Sequence, residues 1–190
     1  YFTPYILLER DGYTIAVLGL LTPYVVTWVP DRLRPGLRFD QLEAAAEKWV
    51  KLISEKEHPD LMIGLFHSGW EPMAQNLPED HPLGRENAVK WVAENIPGFD
   101  LIYYGHDHRA RAEKLTNPNG EPVYVLNSGH RGKGLAKAEV TLKKGKKPQI
   151  SIELMPTEGE EKDEAFLAML QPYLDRAEAY QNKEVAELPV

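Results

Sequence analysis

Three histidines carry the chemistry that this chain could do. His67 follows the apolar run 61–66 and precedes Ser68-Gly69. His106 and His108 lie in Gly105-His106-Asp107-His108, directly after the apolar run 100–104. Neutral imidazole is a ligand for zinc, manganese and iron. In open α/β sheets, ligands gather beyond the carboxyl ends of the strands, and all three histidines are expected there. Histidines two residues apart in extended backbone point the same way, so one divalent ion or a close pair could use both. The plainer readings are two exposed histidines on a polar loop and, for His67, a strand-end side chain hydrogen-bonded to a neighbour. The shared strand-end placement favours a metal site at His67, His106 and His108. Asp107, pointing the other way, could support a ligand from behind.

Other polar and aromatic residues carry weaker signals. His58 sits at a helix end beside Pro59 and reads as solvated. His81 lies in a proline-rich loop, where a surface role outweighs a substrate contact. His130, in Asn127-Ser128-Gly129-His130, could face the same strand-end edge. Glu71 and Asp80 read as solvated loop acids. Trp49 and Trp91 fall on helical faces and belong to the core. Trp28 and Trp70 lie in loops near strand ends, where either could stack on a base, although packing is the commoner fate. Lys143, Lys144, Lys146 and Lys147 read as a solvated hairpin tip. No Walker-type loop and no Gly-x-Ser-x-Gly elbow is found.

The elements that must hold the histidines can be read from periodicity. Runs 4–9 and 13–20, separated by Arg10-Asp11-Gly12, predict a hairpin. Residues 30–37, with two prolines and a glycine, predict a loop. Leu42, Ala45, Ala46, Trp49, Val50 and Ile53 share one face of a helix expected over 40–56, opened by an Asp40–Glu43 capping box. A long polar loop is expected over 71–84, and a second helix over 86–96, stopped by Pro97-Gly98. Strand, helix, strand, helix, strand is the alternation of a mainly parallel sheet with crossovers. Runs 122–127, 135–142 and 148–154 predict three more strands, the last two pairing antiparallel around Gly145. An acidic linker over 156–163 leads to a helix over 165–184, in which Pro172 should kink the helix or shift its start. The expected fold class is α/β, a mixed β-sheet with flanking helices.

Bulk composition sets outer limits. The chain has 190 residues, 43% hydrophobic and 27% charged, with a net charge of −7. That suits a globular domain with a sizeable core. The acidic balance argues against a nucleic-acid polymer held by a basic surface. With no cysteine, any metal must use His, Asp, Glu, Asn or backbone oxygen. No apolar stretch reaches the roughly 20 residues needed for a transmembrane helix.

His67-Ser68-Gly69 followed by Gly105-His106-Asp107-His108 resembles the calcineurin-like metallophosphoesterases. More narrowly, the chain resembles the branch of 5′-nucleotidases and 2′,3′-cyclic-nucleotide 2′-phosphodiesterases. Residues 17–23, Glu86-Asn87-Ala88-Val89, Pro97-Gly98-Phe99-Asp100 and 128–135 appear in that branch's order. The resemblance covers about residues 5–155. It implies part of an αββα sandwich and metal-dependent hydrolysis of nucleotide phosphate esters. It also implies two divalent ions such as manganese, zinc or iron in the full-length enzyme. By position, His67 and His106 would serve one ion and His108 the other. The family's other ligands, two aspartates, a histidine and an asparagine, and its leaving-group histidine belong to a half expected before Tyr1. Residues 1–155 are therefore expected to be the second half of a catalytic domain. Residues 156–190 would be a linker and helix leading to a substrate-binding domain outside the chain. The implied partners are a nucleotide or small phosphate ester and the domain's own first half. The implied location is periplasmic or extracellular. The isolated chain is expected to be inactive, the two ions being expected of the full-length enzyme and not of the fragment; the competing reading is a non-catalytic α/β binding module with structural or adventitious metal-binding histidines.

Overall fold

The computed structural model describes residues 3–71 and 82–184. The chain divides into two compact units, Tyr1–Thr157 and Glu158–Val190.

In the first unit, β1 (Tyr5–Arg10) and β2 (Tyr13–Leu21) form the expected hairpin. Asp11 and Gly12 both take positive φ, at 51° and 77°, as the turn that matches strand twist requires. A short helix, α1 (Val25–Trp28), follows, and then α2 (Leu42–Glu57), β3 (Leu61–His67), α3 (Val89–Asn95) and β4 (Leu101–Tyr104). The chain continues through β5 (Arg111–Thr116), β6 (Pro122–Asn127), β7 (Gly134–Thr141) and β8 (Gln149–Pro156). Six strands form a mixed sheet in the order β1-β2-β3-β4-β6-β5, with β2, β3, β4 and β6 parallel and both edge strands antiparallel. β7 and β8 make a separate antiparallel pair. The fold is thus α/β with a mixed sheet and flanking helices.

Register assigns the two sheet faces. Ala16 pairs with Met62, Leu18 with Gly64, and Phe66 with Tyr104. These residues face α2 and α3 and join Leu42, Ala46, Ile53, Val89, Val92 and Phe99 in one core. Trp49 and Trp91 pack at its margin. The opposite face carries Ile6, Leu8, Val17, Leu21, Ile63 and Leu65, and His67 pairs with Leu21 on that same face. Ile6, Leu21 and Leu65 are 49%, 45% and 57% exposed. That face buries Leu61, Leu101 and Leu126 but stays open along β1, β2 and the end of β3, where the sheet is a layer short of burial.

Local chemistry moved several element boundaries. The Asp40–Glu43 capping box does not form: α2 begins at Leu42 after Gln41, with no side-chain cap. Asp40 pairs instead with Arg38, and Glu43 is buried against Arg85, whose guanidinium lies 3.2 Å away. The helix expected over 86–96 shortens to α3, because the backbone N–H groups of Val89 and Lys90 donate to the carbonyls of Gly69 and Trp70. Strand β5 is a polar edge strand that the sequence pattern did not predict. Asp80 and His81, and most of the loop expected over 71–84, lie outside the described residues. In the second unit, α4 (Glu164–Gln181) is capped by Asp163, which accepts from Phe166 N–H at 2.9 Å. Pro172 lies inside α4 and does not set its start. Among the described residues no helix is long and apolar enough to cross a membrane.

Candidate metal centre

The parallel strands β3, β4 and β6 end side by side, and each leads into a histidine-bearing segment. His67 is the last residue of β3. Its carbonyl accepts from Thr22 N–H at 2.9 Å, which fixes the strand end against the β2–α1 loop. Gly105 N–H donates to Phe66 O at 3.1 Å, so the Gly105–His108 loop starts tied to β3.

Beyond Gly105 the backbone is not extended. His106 and His108 have φ of 89° and 60°, in a region that non-glycine residues seldom adopt. The expectation that both imidazoles point the same way from extended chain is therefore corrected. The loop turns, and the two rings go to different neighbours. The His106 ring lies 5.1 Å from that of His67, centroid to centroid, while His108 lies 5.1 Å from His130. Among the described residues no group of three or more His, Asp or Glu side chains comes close enough to hold a metal ion on its own.

The turn after His67 is stapled to the segment before α3. Ser68 is fully buried; its hydroxyl donates to Glu86 O and accepts from Ala88 N–H, at 2.8 and 3.0 Å. Gly69 N–H donates to Asn87 Oδ1 at 3.0 Å. A Cβ at Gly69 would overlap the Asn87 side chain, so only glycine fits this close approach. The same staple brings Glu86 to His106, with Oε1 2.9 Å from Nε2 and both side chains less than one-fifth exposed. Asp107 faces away from the histidines. Its carboxylate accepts from Trp70 N–H, Arg109 N–H and Asn127 Nδ2 at 3.0, 3.1 and 2.8 Å, joining the ends of β3, β4 and β6.

Partial loss of hydration, followed by the nearby His106 and His108, pushes the His67 imidazole below its ordinary range. His130 is pushed down too, by loss of hydration and by His108, Arg131 and Lys133. Both rings are therefore biased towards the neutral form that ligates metals. The His67–His106 pair suits a borderline divalent cation, and Glu86 on His106 is the carboxylate partner that orients such ligands. Two imidazoles make only part of a ligand set.

The remaining sequence candidates divide cleanly. His58 ends α2 in a left-handed conformation, φ 46°, well away from this role. Glu71 pairs with Lys90. Trp70 is buried, stacked on Tyr104 and covered by Arg111. Trp28 is half exposed and its ring lies 5.2 Å from His106. Glu86 had no individual role in the sequence reading, since its contact with His106 spans twenty positions. His130 follows β6 as His67 ends β3, and its ring neighbours that of His108.

No protein-family model matches the chain. Over 139 residues it is 30% identical to the trifunctional nucleotide phosphoesterase protein YfkN of Bacillus subtilis, covering 72% of this chain and 8% of YfkN. It is 22% identical over 222 residues to the 5′-nucleotidase of Vibrio cholerae, covering 97% of this chain and 38% of that protein. The structure of a 5′-nucleotidase precursor from Thermus thermophilus superposes with a TM-score of 0.67 at 22% identity, covering 98% of this chain and 36% of that one. The chain thus spans well under half the length of each. In sequence the chain is similar to nucleotide phosphoesterases and 5′-nucleotidases, and its fold is that of part of a 5′-nucleotidase structure.

Proposed function

We propose that this chain supplies part of the metal-binding and phosphate-binding edge of a phosphoesterase that hydrolyses nucleotides, of the 5′-nucleotidase or 2′,3′-cyclic-nucleotide 2′-phosphodiesterase type. The observation that carries the reading is the close His67–His106 pair at the carboxyl edge of β3 and β4, with Glu86 behind it, in a relative of such enzymes. His67 and His106 would hold one divalent cation, and His108 would contribute to a second. Such ions supply Lewis-acid polarisation of a phosphoryl oxygen.

The chain's own residues do the positioning. Glu86 fixes the tautomer and ring orientation of His106 by engaging Nε2, leaving Nδ1 as its free nitrogen. Asp107 holds the Gly105–His108 loop in its turned conformation, and Ser68 and Asn87 hold Glu86 beside it. The depressed protonation of His67 keeps its lone pair available near neutral pH. Three neutral imidazoles lack the carboxylates that stabilise two adjacent divalent charges. We therefore read residues 1–155 as the second half of a catalytic domain, completed by a layer on the open face of the sheet. That face runs from Ile6 to Leu65 and includes the row of His67.

The test is phosphate release from 5′-AMP and product formation from 2′,3′-cyclic AMP, with manganese, zinc or no metal. Both the 190-residue chain and an N-terminally extended parent protein are assayed. The expected outcome is metal-dependent turnover by the parent and little by the chain. Robust turnover by the chain alone would refute the part-domain reading. An inactive, folded parent would favour a non-catalytic binding module instead.

A further inference from the structure

We infer that the β7–β8 ribbon is a strap latched by charge: its tip fastens through Lys144 and Lys147 to the starts of β3 and β6, at the edge opposite the histidines, and so keeps an apolar cover on the sheet. The inference is independent of the nucleotide reading, and every residue of the latch belongs to this chain.

The ribbon is amphipathic. Ala136, Ala138 and Val140 pair with Leu154, Ile152 and Ile150 on one face, and all six are partly buried. Lys137, Glu139, Ser151 and Glu153, on the other face, are exposed. Among the described residues no ladder joins the ribbon to the six-stranded sheet, and a lone two-stranded ribbon is only marginally stable. Packing and the tip must therefore hold it. The ribbon lies against β6, and β8 also reaches β5. Ile150 and Tyr124 line one hollow between them, and Ala136 and Leu126 another. Leu101 and Leu126 are 2% and 0% exposed, yet they lie on the sheet face away from α2 and α3.

An acid precedes each of three parallel strands: Asp60 before β3, Asp100 before β4 and Glu121 before β6. With the ribbon tip they line a cavity of about 410 Å³. Lys144 Nζ lies 2.9 Å from Asp60 Oδ2 and 4.7 Å from the centre of the Tyr13 ring. Thr14 N–H donates to the same carboxylate oxygen at 2.9 Å, which holds Asp60 in place. Lys147 pairs with Glu121, to which Asn117 Nδ2 donates at 3.2 Å. Asp100 instead accepts from Met62 N–H at 2.8 Å. The sequence pattern reads all four tip lysines as solvated, but two of them have partners 84 and 26 positions away. Among the described residues Lys143 and Lys146 form no ion pair. Exposed ion pairs each shift an equilibrium only a few-fold. That is too little to fix a domain and enough to bias the opening of one ribbon. At the ribbon's other end, Thr157 Oγ1 donates to Gly132 O and Thr157 N–H to Lys133 O, at 2.6 and 3.2 Å, so the turn bearing His130 is tied to the strap.

The chain has no cysteine, so one introduced thiol reports opening through its reaction with N-ethylmaleimide, an uncharged reagent. Leu126→Cys reports the surface under the strap, and Val92→Cys, in the fully buried row of α3, reports opening of the whole core. Each reporter is placed in the unaltered latch, in paired Lys144→Met and Lys147→Met, in paired Lys144→Arg and Lys147→Arg, and in Lys143→Met. The methionine pair should speed labelling of Leu126→Cys about tenfold, while the arginine pair and Lys143→Met stay within about twofold. Labelling of Val92→Cys should stay within about twofold throughout. Salt at 0.5 M should speed labelling under the unaltered latch more than under the methionine pair, since it screens only what is charged. Leu101→Cys should give the same ratios and serves as reporter if Leu126→Cys does not fold. No acceleration by the methionine pair would overturn the inference. So would equal acceleration of Val92→Cys, which would make the lysines general stabilisers, or an equal effect of Lys143→Met, which would make the response one of net charge.

Discussion

His106 is governed by three neighbours: Glu86 at Nε2, Trp28 beside its ring and His67 at its edge. The left-handed backbone at His106 aims the ring into that company, a local strain of the kind that functional sites keep. Glu86→Gln retains an acceptor but removes the charge behind the imidazole. We expect zinc affinity, measured by competition with a chromophoric chelator, to fall about tenfold while the thermal midpoint holds. An unchanged affinity would separate Glu86 from the metal site. His67 gives a pH prediction with a definite sign. Its ordinary value is 6.5 and the fold lowers it. Between the lowered value and 6.5 the unfolded chain binds the proton and the fold does not, so stability rises with pH through that window and is complete above it. A titration of the His67 C2–H resonance should give a midpoint below 6.5.

At the scale of elements, strand ends are made into a site by short polar staples. Asp107 accepts three hydrogen bonds that tie β3, β4 and β6 together. Removing a charged acceptor from three donors predicts that Asp107→Ala destabilises the chain by about 2–3 kcal/mol in urea unfolding. The same variant should raise hydrogen exchange at Trp70 and Arg109 N–H. Much of this level was legible in the sequence. The helical spacing of Leu42, Ala46, Val50 and Ile53 placed the buried face of α2, and the apolar runs placed β2, β3 and β4. What failed was settled by distant partners. Glu43 looked like a capping residue and was claimed by Arg85, forty-two positions away. α3 lost its first turn to loop carbonyls. β5, Arg-Ala-Glu-Lys-Leu-Thr, has too few apolar residues for periodicity to register, and pairs because Asn127 to Pro122 offer an edge.

For the molecule as a whole, one sheet face is closed by helices and the other, also apolar, is open along β1, β2 and the end of β3. That asymmetry supports a second layer completing both the core and the ligand set. Leu65, 57% exposed, reports on it. Leu65→Ser should change the stability of this chain by less than about 0.5 kcal/mol, as for surface substitutions, while reducing binding of a hydrophobic dye. In the extended parent the same change should destabilise by about 2–3 kcal/mol, because there the leucine would be buried. Equal effects in the two proteins would contradict the second layer. The gathering of histidines at one edge was legible because each strand's carboxyl end could be read from its apolar run. The split into His67–His106 and His108–His130 was not, since it follows from positive φ angles that no periodicity encodes.

The most direct test of the central claim, that this edge binds a divalent cation through its histidines, is paramagnetic broadening of the imidazole C2–H resonances by substoichiometric Mn²⁺. The account predicts that His67 and His106 broaden first and His108 next, while His58, at the end of α2, stays sharp. Uniform broadening of all the histidines, or loss of the His58 signal before that of His67, would contradict it.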